Sequence, residues 1–454
     1  MARGTPDPFP VAVIGAGFSG TLAALQILAR APDRPVLLFE RGGTFGRGLA
    51  YGTGDPAHLL NVRAANMSAF PDRPGDFVEW LVRIAADLPP GERAGICRTP
   101  AGTFAARGLY GRYLASLLAR AGPGLSLVPE AVIDLEPVAG GFALHTEGGG
   151  IHRVCGAVLA LGNLAGSGVA SRHRVSPWTP EGLDRLDPGV PVLIVGTGLT
   201  MVDAVATLRR GGFPGPVVAL SRRGLVPSAH AASAAWPPPD LGAERTSLVR
   251  LLVRVRAEIA AARRAGTDWR GVIDALRPVT DRLWNELPEP DRARFLRHLR
   301  PFWDVHRHRS APPAAAAIAD EIARGSLTLR AGRIVGIEDE PDHARVTWRA
   351  RGERGARTLR VQCLIDATGV GPVGATRDPL LRRLIARGLV RPGPFGLGLD
   401  ATVEYRVRSR DERDAPALWT LGPLLRGVLW ECTAVPDIRV AAERLAGSVT
   451  RDRV

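Results

Sequence analysis

Gly15, Gly17 and Gly20 lie between an apolar run, Val-Ala-Val-Ile, and a stretch with helical apolar spacing that runs to Arg30. The pattern is G-x-G-x-x-G, and each glycine has a separate task. Gly15 allows a tight turn, Gly17 lets backbone approach a pyrophosphate, and Gly20 lets the helix pack closely on the strand. The N–H groups at the helix start, around Phe18 and Ser19, then face the phosphates with a partial positive charge behind them. A second apolar run, Pro-Val-Leu-Leu-Phe, ends in Glu40, where an acid accepts hydrogen bonds from ribose hydroxyls and repels a 2′-phosphate. Arg41 and a glycine-rich segment containing Gly48 follow. That segment reads either as a plain loop or as chain passing the ligand at the carboxyl edge of a sheet.

A related pattern recurs at 191–203, where an apolar strand leads into Gly196 and Gly198, then Leu199, Thr200 and a helix through Leu208. The third glycine position holds Met201, so helix and sheet must sit further apart there. The next strand ends in Arg222 and Arg223 instead of an acid. Two guanidinium groups suit a 2′-phosphate by charge and fork geometry, which favours NADPH. Two solvated arginines in an arginine-rich chain remain the alternative.

The elements that must position these turns repeat as well. An apolar strand is expected at 153–163 after alternating residues at 142–154. Another is expected at 361–369, with Thr368 and Gly369 at its ligand end, after alternation over 326–361. The expected fold class is α/β, with two Rossmann-like dinucleotide-binding domains, each three-layered with a small β-meander. The expected boundaries are 1–187 for an FAD-binding domain and 188–371 for an NAD(P)H-binding domain. A C-terminal part, 372–454, follows. Residues 228–325 read as a helical insertion in the second, with basic amphipathic helices at 244–265 and 269–300.

Composition narrows the function. All 59 basic residues are arginine, which with abundant Gly and Pro reads as compositional bias. The net charge of +14 is spread along the chain without an aromatic-studded basic stripe, so no nucleic-acid partner is expected. No run approaches the roughly 18 apolar residues of a membrane span, and the N-terminus leaves no room for a signal peptide, so a cytoplasmic location is the default. The sequence leaves homodimer formation open. Cys97, Cys155, Cys363 and Cys432 are far apart, with no paired-cysteine motif, and read as reduced thiols. No metal site is expected.

The two glycine turns, the Leu-Ile-Asp-Ala-Thr-Gly strand and the ending 421–439 resemble bacterial FAD/NAD(P)-binding proteins, the FAD-dependent oxidoreductases. Segments 48–64, 104–113 and 306–309 carry the same resemblance over nearly the whole chain. It implies FAD on the first unit, with Asn61 and Met67 flanking the isoalloxazine. It also implies that the C-terminal part, 372–454, completes the FAD-binding domain, with Gly422 near the ribityl chain or pyrophosphate and Trp430 opening a segment that faces the flavin. Flavin with NADPH implies hydride transfer to flavin N5. Since no cysteine pair accepts the electrons, oxygen would, through a C4a-hydroperoxide, as in N-hydroxylating monooxygenases of similar layout. The expected substrate is a small amine or amino acid, an acidic one included. His306, His308 and Arg309 are the candidates to bind its carboxylate or to hold a proton on the oxygenated flavin. Equally, they read as surface residues of a helical prop. A flavin reductase serving a partner, and a nucleotide-binding redox sensor without turnover, are the competing functions.

Overall fold

The computed structural model describes residues 9–164, 168, 170–177 and 185–451. The apolar runs form buried strands because both faces of each are covered. Val11–Ile14 is buried along its whole length. Parallel sheets covered by helices on both faces demand such runs.

Two sheets organise the chain. The first has six strands, ordered Arg406–Arg408, Asp414–Thr420, Gly156–Leu159, Val11–Ile14, Val36–Phe39 and Leu125–Val128. All pairings are parallel except that of Arg406–Arg408 with Asp414–Thr420. The chain from about 373 therefore returns to the first unit, and the C-terminal helix Val435–Arg451 shares its core. The second sheet has seven strands, ordered Arg174–Val175, Cys363–Asp366, Val192–Val195, Val217–Ser221, Leu327–Asp339, Ala344–Ala350 and Ala356–Val361. Its core lies on both faces, with Met201 and Val205 on one and Leu193 and Leu364 on the other.

Three expectations change in detail. The strand expected at 153–163 is two: Ile151–Val154 closes a meander that begins at Val132, and Gly156–Leu159 enters the large sheet. The alternation over 326–361 is not a separate meander. The 13-residue strand Leu327–Asp339 starts parallel to Val217–Ser221 and from Gly332 pairs antiparallel with Ala344–Ala350, with a bulge between Ile334 and Gly336. The helix expected at 269–300 is broken into Trp269–Leu276, Thr280–Glu286, Glu289–Arg294, a π-helical turn Phe295–Leu299, and Arg300–Arg307. Proline explains the clearest break: Leu287 precedes Pro288, and its ψ of 133° is extended, as a residue before proline prefers. The first expected helix is Leu248–Arg264.

The two units are joined by polar contacts between the 53–58 loop, the helix Arg107–Leu118 and the helix Leu199–Arg210. His58 bonds Thr53 Oγ1 and Thr207 Oγ1, both at 2.8 Å, and Arg107 pairs with Asp203 at 2.9 Å. Arg210 also pairs with Asp55.

Candidate functional site

The first turn needs its glycines. Gly15 has φ of +99°, and a Cβ there would lie 2.5 Å from the Ala160 carbonyl oxygen. A Cβ on Gly20 would collide with the Gly15 carbonyl oxygen. Gly17 caps the helix Phe18–Arg30 without a side-chain hydrogen bond, so the first-turn N–H groups are left to a ligand. The turn is pinned from below by Gly15 N donating to Phe39 O at 2.9 Å.

Glu40 sits beside this turn. Its Oε2 accepts from Ala16 N at 2.9 Å and its Oε1 from Gly42 N at 3.3 Å, which fixes the carboxylate at the strand end. Arg41 turns elsewhere: it is exposed and bonds Asp378 at 2.6 Å. Gly48, with φ of +54°, brings its backbone against Gly17, where a Cβ would lie 3.1 Å from Gly17 Cα. The short helix Gly48–Tyr51 is seated on the helix Arg107–Leu118 through two more glycines. A Cβ on Gly108 would press on Thr53 O at 2.6 Å, and one on Gly111 would overlap Tyr51 O. The pattern Arg-Gly-Leu-Tyr-Gly thus clears room for the loop beside the turn.

The returning chain closes the site. Gly422, with φ of +80°, abuts Ser19, and any Cβ there would meet the Ser19 hydroxyl. Met67 is buried at 1% exposure, and the Asn61 carbonyl accepts from His230 Nε2 at 2.9 Å. That bond leaves His230 Nδ1 buried without a partner. Desolvation pushes His230 down to about 4, so it stays neutral. Arg63, which its residue type and position did not single out, donates to Ala231 O at 3.1 Å across the same seam.

The second turn is built alike. Gly196 has φ of +121°, its N donates to Leu220 O at 2.8 Å, and a Cβ would overlap Ala367 O. Gly198 caps the helix Leu199–Arg210, again with no side-chain cap, and faces open space. Leu199 and Thr200 open that helix. Met201, in the third glycine position, is fully buried and fills the gap between helix and sheet. Thr197, which the motif did not single out, bonds Ser221 Oγ at 2.8 Å and Leu225 O at 2.5 Å, tying the turn to the next strand end. Arg222 is exposed. Arg223 donates to His298 O at 3.2 Å and lies 5.0 Å over Phe302, so the insertion engages it. Thr368 donates to Asp366 at 2.6 Å, and Gly369 has φ of +88° with open space beside it.

The insertion separates the three residues expected to act in chemistry. His306 donates from Nδ1 to Phe302 O at 2.7 Å and meets the Trp269 ring edge-on at 4.8 Å. His308, at the end of the helix, is pushed down to about 4 by loss of water and by the Arg307 charge. Arg309 is 2% exposed and paired with Asp274, with Nε and Nη1 unpartnered. Beneath them a buried pair, Arg307–Glu431 at 2.9 Å, and a bidentate Arg277–Asp437 pair dock the insertion on the C-terminal segment. Trp430, 6% exposed, stacks against Trp284 with ring centres 4.8 Å apart. No local pattern signals this docking, because its partners are more than a hundred residues apart.

Residues 12–164 match the protein family described as FAD-NAD(P)-binding. No curated protein matches the sequence. Among solved structures, the fold is similar to that of ornithine N-hydroxylase from Kutzneria sp. 744, with a TM-score of 0.66, 14% identity, and 99% of this chain and 100% of that chain covered. L-lysine 6-monooxygenase from Pseudomonas syringae gives 0.64 and 15%, covering 98% and 100%. Ornithine hydroxylase from Pseudomonas aeruginosa gives 0.62 and 16%, covering 98% and 99%. The chain therefore shares the fold of these structures over nearly its whole length.

Proposed function

We propose that the chain is an FAD-dependent, NADPH-consuming monooxygenase. NADPH, a proton, oxygen and a substrate amine would give NADP+, water and the N-oxygenated product. The observation that supports it most is the pairing of two glycine turns, at Gly15 and Gly196, where backbone closes the Cβ position, with four cysteines that form no disulfide. Burial pushes Cys363 up to about 12 and also raises Cys432, so neither offers a thiolate to relay electrons. The named structures of like fold are ornithine and lysine hydroxylases, which supports oxygen as the acceptor.

The residues fit the cofactors. Gly15, Gly17 and Gly20 would cradle the FAD pyrophosphate with the N–H groups of Phe18 and Ser19, Glu40 would hold the ribose, and Gly422 would close the cradle. Gly196, Gly198 and the Leu199–Thr200 turn would hold NADPH, with Arg222 on its 2′-phosphate. Bound FAD supplies hydride acceptance and oxygen activation. The chain's own residues would orient the two cofactors, and His230, bonded to Asn61 O, stays neutral beside the first unit. A panel of amines and amino acids, scored for stimulated NADPH oxidation and for an oxygenated product by mass spectrometry, tests this. Oxidation that yields only peroxide with every substrate contradicts it.

A further inference from the structure

The helical insertion borders a cavity of about 430 Å3 that none of the glycine-turn residues of either nucleotide unit lines. Its wall is aromatic: Trp269, Trp284, Trp303 and Trp430, four of the chain's nine tryptophans, face it together with Phe295. One side of the helix Leu248–Arg264 completes it through Leu252, Val255 and Ile259. Protein interiors interdigitate to near-crystalline density, and a void of this size forfeits dispersion contacts on every lining group. It lies in the range of small-molecule sites, which are mostly apolar with a few polar groups that orient the ligand.

Those polar groups all favour one kind of occupant. Arg256 and Arg263 sit on the cavity side of the same helix, both exposed, with Ile259 between them. Seven residues separate them, a rise of about 10 Å. Trp303 carries a buried indole N–H without a partner, which seeks an acceptor. His306 is the remaining ionisable lining residue, and no carboxylate lines the cavity. An ammonium group would meet tryptophan faces but no carboxylate there, whereas an anionic group meets two guanidiniums at the rim. The inner wall belongs to the returning C-terminal segment, because Trp430 packs on Trp284 and Trp284 Nε1 donates to Gly427 O at 3.0 Å.

We propose that this cavity holds the substrate's body, and that the substrate is a bulky apolar or aromatic anion rather than a compact polar amino acid. The assignment rests on the oxygenase reading for the word substrate, and on the cavity alone for the ligand class. The apolar body packs between the tryptophans, its anionic group lies toward Arg256 and Arg263, and the group to be oxygenated passes Trp430 toward the flavin side. Selectivity then comes from the insertion, while the nucleotide units supply the chemistry.

The test uses the FAD-loaded full chain and two probes, anilinonaphthalene sulfonate and its neutral relative N-phenylnaphthylamine, read by quenching of tryptophan fluorescence. Saturable binding of both is expected, with no displacement by ornithine. Arg256→Ala with Arg263→Ala should raise the Kd of the sulfonate about fivefold and leave that of the neutral probe unchanged. Val255→Trp, which fills the cavity, should abolish binding of both while FAD content and flavin reduction by NADPH persist. Leu252→Trp repeats the test if the first variant fails to fold. Absence of saturable binding, or unchanged binding in the filled variants, overturns the assignment, as does an equal effect of the arginine changes on both probes. Failure of NADPH to reduce the flavin would instead overturn the proposed oxygenase and leave probe binding intact.

Discussion

At the scale of single residues, space around a glycine decides what a substitution does. Gly20→Ala places a methyl group into the Gly15 carbonyl, so the helix must move off the strand and bound FAD should be lost. Gly17→Ala has a nearest neighbour at 3.6 Å, so the fold should persist while FAD affinity falls, because the methyl lies where phosphate must approach. Flavin content after gel filtration, set beside circular dichroism, separates the two outcomes. The arginines after the second unit also differ. Arg222 is exposed and uncommitted to the insertion, whereas Arg223 is held by His298 O and Phe302. Arg222→Ala should raise the KM for NADPH about tenfold and leave NADH nearly unchanged, in line with the loss of one charge-assisted hydrogen bond. Arg223→Ala should cost less. Equal effects on NADPH and NADH would remove the 2′-phosphate role. The sequence placed both arginines together at a strand end; only the packed insertion distinguishes them.

At the scale of elements, the insertion is held by charges that its sequence did not advertise. Arg307 and Glu431 are both nearly buried, so removing one leaves an uncompensated charge. Arg307→Ala should cost about 3–5 kcal/mol in denaturant unfolding, and Glu431→Gln added to it should recover part of that loss. Acid stability belongs to the same region. His230 and His308 have folded-state values near 4, below the ordinary 6.5, so the unfolded chain takes up their protons first. Their contribution is whole above about pH 6.5 and is lost as pH falls toward about 4. Asp281, raised from 3.8 to about 6 by burial, opposes them: its contribution is whole at low pH and lost as pH rises through about 6. Burial also raises Asp203 and Asp437, in the same sense as Asp281. Measured as Tm against pH between about 4 and 6.5, His308→Asn should lose less stability on acidification than the parent chain, and Asp281→Asn should lose more. The strands and turns around the glycines were legible because adjacent residues make them. Helix breaks at Pro288 were legible in principle, but amphipathic spacing over 269–300 masked them. The cavity and the buried ion pairs join residues distant in sequence, and periodicity carries no trace of such contacts.

At the scale of the whole molecule, two sheets each present a glycine turn at the carboxyl end of a central strand, and the chain crosses between them twice. The first crossing leads to Arg174–Val175 and on to Val192–Val195, and the second returns from Cys363–Asp366 to Arg406–Arg408 and Asp414–Thr420. This return builds the first unit from both ends of the chain. The seam is locked by His58 with Thr207 and by Arg107 with Asp203, residues on the loop and helix that also seat Gly48. Cofactor position on one side is thereby tied to helix position on the other. The central claim is that electrons pass from NADPH on the second unit to FAD on the first. Anaerobic mixing of the FAD-loaded protein with NADPH, followed by absorbance in a stopped-flow instrument, tests it most directly. The account predicts that NADPH bleaches the flavin, much faster than NADH at equal subsaturating concentration. A flavin that stays oxidised under NADPH would contradict it.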